Sequence, residues 1–273
     1  MKRREFLIAS GAAALAACAP NKPPSQAAPS TTKSSTSSST ASPTSTTTAT
    51  TEATTVTTPS TTAPTTSTSV DRNGPALFVQ HGPRTKQQVA LTFHANGDVA
   101  MTTALFGVAE ARHVPLTIFA VGSWLAANPA MAKRILNGGH ELANHTYTHP
   151  SLGQVAAALV AVEIAKCRDI IKQLTAQTGG WFRPSGLDVP TELILNEANK
   201  AGYPTVIGYD VDPHDYEDPG ASEVLARVKA GLQPGSIVSL HTAHQGTLQA
   251  LPAILDAITA ASLQPVTVST LLA

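Results

Sequence analysis

From Gln88 onward, apolar and polar positions fall into two alternating rhythms, which predict strands and helices in turn. Short apolar runs predict strands over 88–93, 115–121, 140–143, 181–182, 203–209, 235–240 and 265–268. Helical spacing predicts helices over 99–112, 123–137, 154–175, 190–201, 221–230 and 247–261. On the longest helix, Val160, Ile164, Cys167, Ile171 and Leu174 form one apolar stripe. Gly138 and Gly139 stop the second helix. Repeated β-α units imply a parallel sheet, closed or nearly closed. In such barrels, functional groups sit at the carboxyl ends of the strands. That rule selects His94, Asn144, His145, Arg183, Asp210, Asp212 and His241.

The first quarter of the chain follows neither rhythm. It opens on Met1-Lys2-Arg3-Arg4-Glu5-Phe6-Leu7 and an Ala-rich apolar run over 7–17. That run is well short of the ~20 residues that a membrane span needs and reads as an export signal. The Arg3-Arg4-x-Phe6-Leu7 pattern resembles a twin-arginine signal, and Leu15-Ala16-Ala17-Cys18 resembles a lipobox. The expectation is an exported protein, anchored in the cell membrane through lipidated Cys18 and facing the cell wall or periplasm. About three residues in four over 30–69 are Ser or Thr, too few apolar groups to offset chain entropy. The expected organisation is signal over 1–18, linker over 19–75 and one domain over 76–273.

Composition narrows the functional classes. Eighteen Lys and Arg balance eighteen Asp and Glu, so there is no electrostatic footprint for nucleic acid. No protein partner is evident. Of the two cysteines, Cys18 belongs to the signal, and Cys167 lies on the apolar stripe, as a core thiol would.

The clearest chemical signal is Asn144-His145-Thr146-Tyr147-Thr148-His149-Pro150, directly after a short predicted strand. Two imidazoles four apart can meet one metal ion, and Pro150 favours a loop or single turn over a continuing helix. Further polar groups close later strands: Trp181-Phe182-Arg183-Pro184-Ser185-Gly186, then Asp210-Val211-Asp212-Pro213-His214-Asp215-Tyr216, then Ser239-Leu240-His241.

In this order, these motifs resemble the NodB-type polysaccharide deacetylases, carbohydrate esterases that remove acetyl groups from chitin-like and peptidoglycan-like sugars. The resemblance covers nearly all of 88–272. It implies a distorted (β/α) barrel and a divalent metal, usually zinc. By resemblance, His145 and His149 are metal ligands, Arg183 orients the catalytic base, and His241 is the general acid, tuned by a carboxylate of the 212–215 segment. Asp215 is thereby placed in the catalytic group, and Tyr216, Leu240 and Trp181 are expected as substrate contacts. The family opens on T-F-D-D-G, whereas this chain reads Thr92-Phe93-His94-Ala95-Asn96-Gly97-Asp98. His94 stands where the base stood, and Ala95 cannot bind a metal. Asp98 is then expected as the third ligand, with His94 as base; the other role open to Asp98 is to cap the helix after it.

Three activities fit this reading. The first is a metal-dependent hydrolase acting on an acetylated cell-wall or extracellular polysaccharide. The second is a degenerate domain that binds glycans without turnover. The third is another amide hydrolase on the same barrel, since fold alone does not fix chemistry.

Overall fold

A computed structural model describes residues 74–273. The expected export signal over 1–18, Cys18 with it, and all but the last two residues of the linker expected over 19–75 lie outside the described residues. The strands are β1 (Leu77–Val79), β2 (Gln88–Ala95), β3 (Thr117–Ala120), β4 (Glu141–Asn144), β5 (Thr205–Ile207), β6 (Ile237–His241) and β7 (Gln264–Val266). The helices are α1 (Val99–Glu110), α2 (Gly122–Ala127), α3 (Ala130–Asn137), α4 (Ala157–Thr175), α5 (Glu192–Lys200), α6 (Ala221–Gly231), α7 (Gln245–Ala260) and α8 (Val268–Leu272).

All strand pairs are parallel, as β-α alternation demands. One sheet runs β4-β3-β2-β6, with β7 also against β2, and β1 pairs with β5. Phe182 bridges Asn144 to Val206, and Val211 bridges to Val238, so single residues carry the wall between the longer strands. The result is the parallel β-α architecture expected from the pattern and the distorted barrel that the resemblance implies.

Strand β2 shows how the layers form. Its residues alternate between faces, as a pleated strand requires. Val89, Leu91, Phe93 and Ala95 join the outer core with Leu105 and Phe106 of α1 and Ile254 and Ile258 of α7. Ala90 joins an inner cluster with Phe119, Ile237, Val268 and Leu271. Lys86, just before β2, donates to the carbonyl of Leu271 at 3.2 Å, so α8 lies at the end where the strands begin. The other end is left for polar residues.

The structure refines several expected elements. The helix expected over 123–137 is two helices, because Asn128 leaves helical geometry and Pro129 cannot donate a continuing hydrogen bond. The strand expected over 181–182 is only the Phe182 bridge. The last strand stops at Val266, where Thr267 caps α8 by accepting from Thr270 N–H, a helix too short for periodicity to reveal. Strand β1, three residues long, escaped for the same reason.

Ile254 is fully buried between α7 and the sheet. Ile254→Ala is expected to lower unfolding free energy by about 2–5 kcal/mol through lost burial and a residual cavity. A thermal melt measures it; an unchanged midpoint would contradict this core assignment.

Candidate active site

The parallel register gathers the polar strand ends. His94 on β2 sits directly opposite His241 on β6 and Phe119 on β3, and Ala120 sits opposite Asn144, one residue before His145. Thr92 and His94 share the inner face of β2. A cavity of about 400 Å³ opens above them, lined by His94, His145, His149, Asp212, Tyr216 and His241 among others.

Arg183 lies outside that lining, 1% exposed, and bonds to it through His94. It donates from Nε to the Ile207 carbonyl at 3.0 Å and from Nη2 to the Gly208 carbonyl at 2.8 Å. Its Nη1 donates to Thr92 Oγ1 at 2.8 Å and to His94 Nε2 at 3.2 Å. Thr92 passes its own proton to the Val238 carbonyl at 2.6 Å. Burial draws the guanidinium down to about 9, so it remains a cation at neutral pH.

Because a guanidinium only donates, it fixes every proton beyond it. His94 Nε2 must accept, so its Nδ1 carries the hydrogen. That N–H faces His241 Nε2 at 2.8 Å, which therefore accepts. His241 Nδ1–H then donates to Asp215 Oδ1 at 2.7 Å. Asp215 is buried, and its Oδ2 also accepts from the His241 backbone N–H at 2.8 Å and from Thr247 Oγ1 at 2.5 Å. The outcome is one continuous chain from Arg183 through His94 and His241 to Asp215.

The imidazole pair stands beside it. His145 stacks on His94 with ring centres 4.1 Å apart and meets His149 edge-on at 4.9 Å. His145 Nδ1 lies 2.9 Å from the Arg183 carbonyl, an acceptor only, so Nδ1 bears the hydrogen and Nε2 keeps its lone pair. Burial first, then the neighbouring His145, His241 and Arg183 charges, hold His94 well below the ordinary imidazole value. Burial and then His149 do the same to His145. Burial followed by His241 lowers His149. Asp212 is pushed up, chiefly by burial, although it accepts from His214 N–H at 2.9 Å.

Most of the predicted site residues meet here: His94, His145, His149, Arg183, Asp215, Tyr216 and His241. Three do not. Asp98 takes the capping role, its carboxylate accepting from Met101 N–H at 2.7 Å, and it is absent from the cavity lining. Its loop is pinned: Trp124 Nε1 donates to the Gly97 carbonyl at 2.7 Å, and a Cβ on Gly97 would lie 2.4 Å from the Ala243 Cβ. Leu240 points into the outer core, on the opposite face of β6 from the site. Trp181 donates to Glu141 Oε1 at 2.9 Å and packs by the inner cluster near α8, outside the cavity lining. Sequence reasoning did not single out Thr247 or Thr92. Each acts through a hydroxyl bond to a residue far along the chain, which leaves no local signal.

The resemblance implies a divalent metal, and the donors present do not complete a site for one. His145 offers a free lone pair and His149 stands next to it. Both nitrogens of His94 are engaged, and Asp98 is tied to its helix. Among the described residues, no three His, Cys, Asp or Glu side chains form a group able to hold a metal ion.

Comparison with known proteins agrees with the geometry. The family model for polysaccharide deacetylase matches residues 81–206. A chitooligosaccharide deacetylase of Bradyrhizobium sp. is 32% identical over 155 residues, 57% of this chain and 70% of that protein. A peptidoglycan-N-acetylglucosamine deacetylase of Bacillus cereus is 30% identical over 177 residues, 65% of this chain and 64% of that protein. A CE4 family pseudoenzyme from Bacillus anthracis superposes with a TM-score of 0.68 at 26% identity, covering 73% of this chain and 69% of that one. A mutant of that protein is described as having restored enzymatic activity.

Two outcomes follow from this geometry. Asp98→Ala removes a cap and is expected to cost about 0.5–2 kcal/mol of stability. Activity per folded molecule should stay level; a matching loss of activity would return Asp98 to the site. The second outcome concerns acid. His94 and His145 titrate below the ordinary 6.5 in the fold, so the unfolded chain binds more protons just below that pH. Stability is then full above about pH 6.5 and falls as pH drops towards the depressed values. Melting midpoints measured from about pH 7 to 5 should decline, and a flat series would contradict the burial of neutral imidazoles.

Proposed function

Because the chain belongs to the polysaccharide deacetylase family, we propose that it hydrolyses acetyl groups from an amino-sugar polysaccharide of the cell envelope, with His241 moving the proton. The observation that carries this reading is the chain Arg183–His94–His241–Asp215, whose two imidazoles line the cleft. Amide hydrolysis needs a group that takes a proton from water and returns it to the leaving nitrogen. His241 Nε2 can do both, because buried Asp215 holds Nδ1–H and stabilises the imidazolium that forms. In the resting site, His94 occupies that lone pair, so an incoming water takes the place of His94 as its donor. His94, whose Nε2 is held by Arg183, is then not the group that takes the proton from water. Arg183 fixes the hydrogen on His94 and touches no substrate.

Tyr216, 45% exposed on the cleft wall and edge-on to His241 with ring centres 5.4 Å apart, offers a face for a sugar ring. The relatives named for chitooligosaccharide and peptidoglycan support an N-acetylated substrate. The twin-arginine-like pattern and Cys18 support a domain held at the outer surface of the membrane, within reach of such a polymer. His145 and His149 are the residues that zinc would touch. The missing third ligand leaves that cofactor without an assigned step.

A second reading, glycan binding without turnover, is favoured by the full engagement of His94 and by the pseudoenzyme neighbour. Acetate release from N-acetylated chitin oligomers and from peptidoglycan, with and without added zinc, separates the two. Wild-type protein is expected to release acetate, and His241→Ala and Asp215→Asn to lose about 10²–10⁴-fold in kcat. Oligomer binding with no acetate release under any condition would establish the second reading.

A further inference from the structure

The segment between His145 and His149 has a backbone that its sequence does not favour. Thr146, β-branched, has φ of +66°, and His149, directly before a proline, has φ of +61°. Left-handed geometry at such residues persists only where surrounding structure over-determines it. The over-determination is visible. Gly122 N–H and Ser123 N–H of α2 donate to the carbonyls of Thr146 at 2.9 Å and Tyr147 at 2.8 Å. Asn144 Oδ1 accepts from Thr146 N–H at 2.9 Å, and its amide donates to the Ile164 carbonyl at 2.9 Å.

The remaining donors converge on Glu163 of α4, only 6% exposed. Its Oε2 accepts from Tyr147 N–H at 2.8 Å and Thr148 N–H at 2.7 Å, and its Oε1 accepts from Thr148 Oγ1 at 2.7 Å. One turn of α4, Glu163 and Ile164, therefore holds both halves of the segment. A carboxylate is the side chain that fits, since it accepts at both oxygens and needs no donor in return. A glutamine in the same place could keep both backbone N–H bonds at its oxygen, but its NH₂ group would then force the Thr148 hydroxyl to accept rather than donate.

We propose that Glu163 is the positioning residue of the His145/His149 imidazole pair, which makes α4 a working part of the site although it reaches no reacting atom. This rests on the hydrolase reading for its kinetic consequence, but not for its geometric one. The test uses full-length protein with Glu163→Gln, Glu163→Ala and Thr148→Val, the last removing only the hydroxyl donor. Side-chain ¹⁵N spectra of the histidines are recorded well below the melting temperature. The His145 and His149 ring signals should shift or broaden in both Glu163 variants, less so in Thr148→Val, while those of His241 stay in place. In the acetate assay, kcat should fall about ten- to a hundredfold with KM nearly constant, the mark of displaced groups rather than lost binding. Unchanged His145 and His149 signals with only a lower melting temperature would overturn the proposal and leave Glu163 a purely structural residue. If wild type releases no acetate, the hydrolase reading fails, and the ring spectra still decide the positioning role. If the Glu163 variants do not fold, the Thr148→Val spectra decide it: displaced signals support the proposal, and unmoved ones overturn it.

Discussion

A buried guanidinium sets the terms for this site. Arg183 is desolvated and has no carboxylate in hydrogen-bond contact, so its cost must be offset by neutral acceptors. It finds four: the carbonyl that ends the short strand β5, the carbonyl just past it, a hydroxyl on β2 and an imidazole nitrogen. Its guanidinium carbon also lies 4.1 Å from the centre of the Phe119 ring on β3. These bonds join strands that the sheet itself links weakly, since around Arg183 the wall is a single bridging residue, Phe182. The cation that closes the barrel is also the group that dictates where the protons lie in the cleft.

That dual role bears on what an imidazole at the end of β2 does. A carboxylate at position 94 would neutralise Arg183. An imidazole satisfies the same N–H but leaves the positive charge in place, and that charge helps hold His94 and His145 neutral. The neutral state of His94 is what lets its Nε2 accept from Arg183 while its Nδ1–H donates to His241. The same charge works against a cation bound to His145 and His149, in a site that already lacks a third ligand. The imidazole at this one strand end therefore sets both the proton chain and the electrostatics of the cleft. The barrel persists, because the outer face of β2 still carries Val89, Leu91 and Phe93.

The sequence made the architecture legible wherever a period could run long enough. The stripe on α4 is buried at Val160, Ile164, Cys167 and Ile171, and burial pushes the Cys167 thiol up to about 12, as befits a core residue rather than a nucleophile. The strand-end rule placed His94, His145, Arg183 and His241 together before any coordinates. What escaped was set by contacts remote in sequence. Asp98 had two roles open to it, and the close approach of Gly97 to Ala243, on the loop after β6, accompanies the choice of the cap. Leu240 stands next to His241 in the chain, yet a strand turns neighbours to opposite faces, whereas Trp181, two residues before Arg183, is held away by its bonds to Glu141 and Ser269. Leu240 therefore belongs to the core, and Trp181 to the packing beside α8.

The same reasoning separates residues that do chemistry from residues that make chemistry possible. A titratable group at a strand end is visible to a motif. A group such as Thr247 or Glu163 is visible only through the bond it makes: Thr247 to Asp215, Glu163 to the segment that bears two histidines. Both reach the site from helices of the outer layer. The strands bring the imidazoles to one end of the barrel, and that alone does not orient them. Orientation comes from acceptors whose own positions are fixed: Asp215 for His241, the Arg183 carbonyl for His145, and Glu163 for the backbone between His145 and His149. The outer helices of this barrel thus do more than bury its apolar face, since two of them, α4 and α7, carry the groups that aim its histidines.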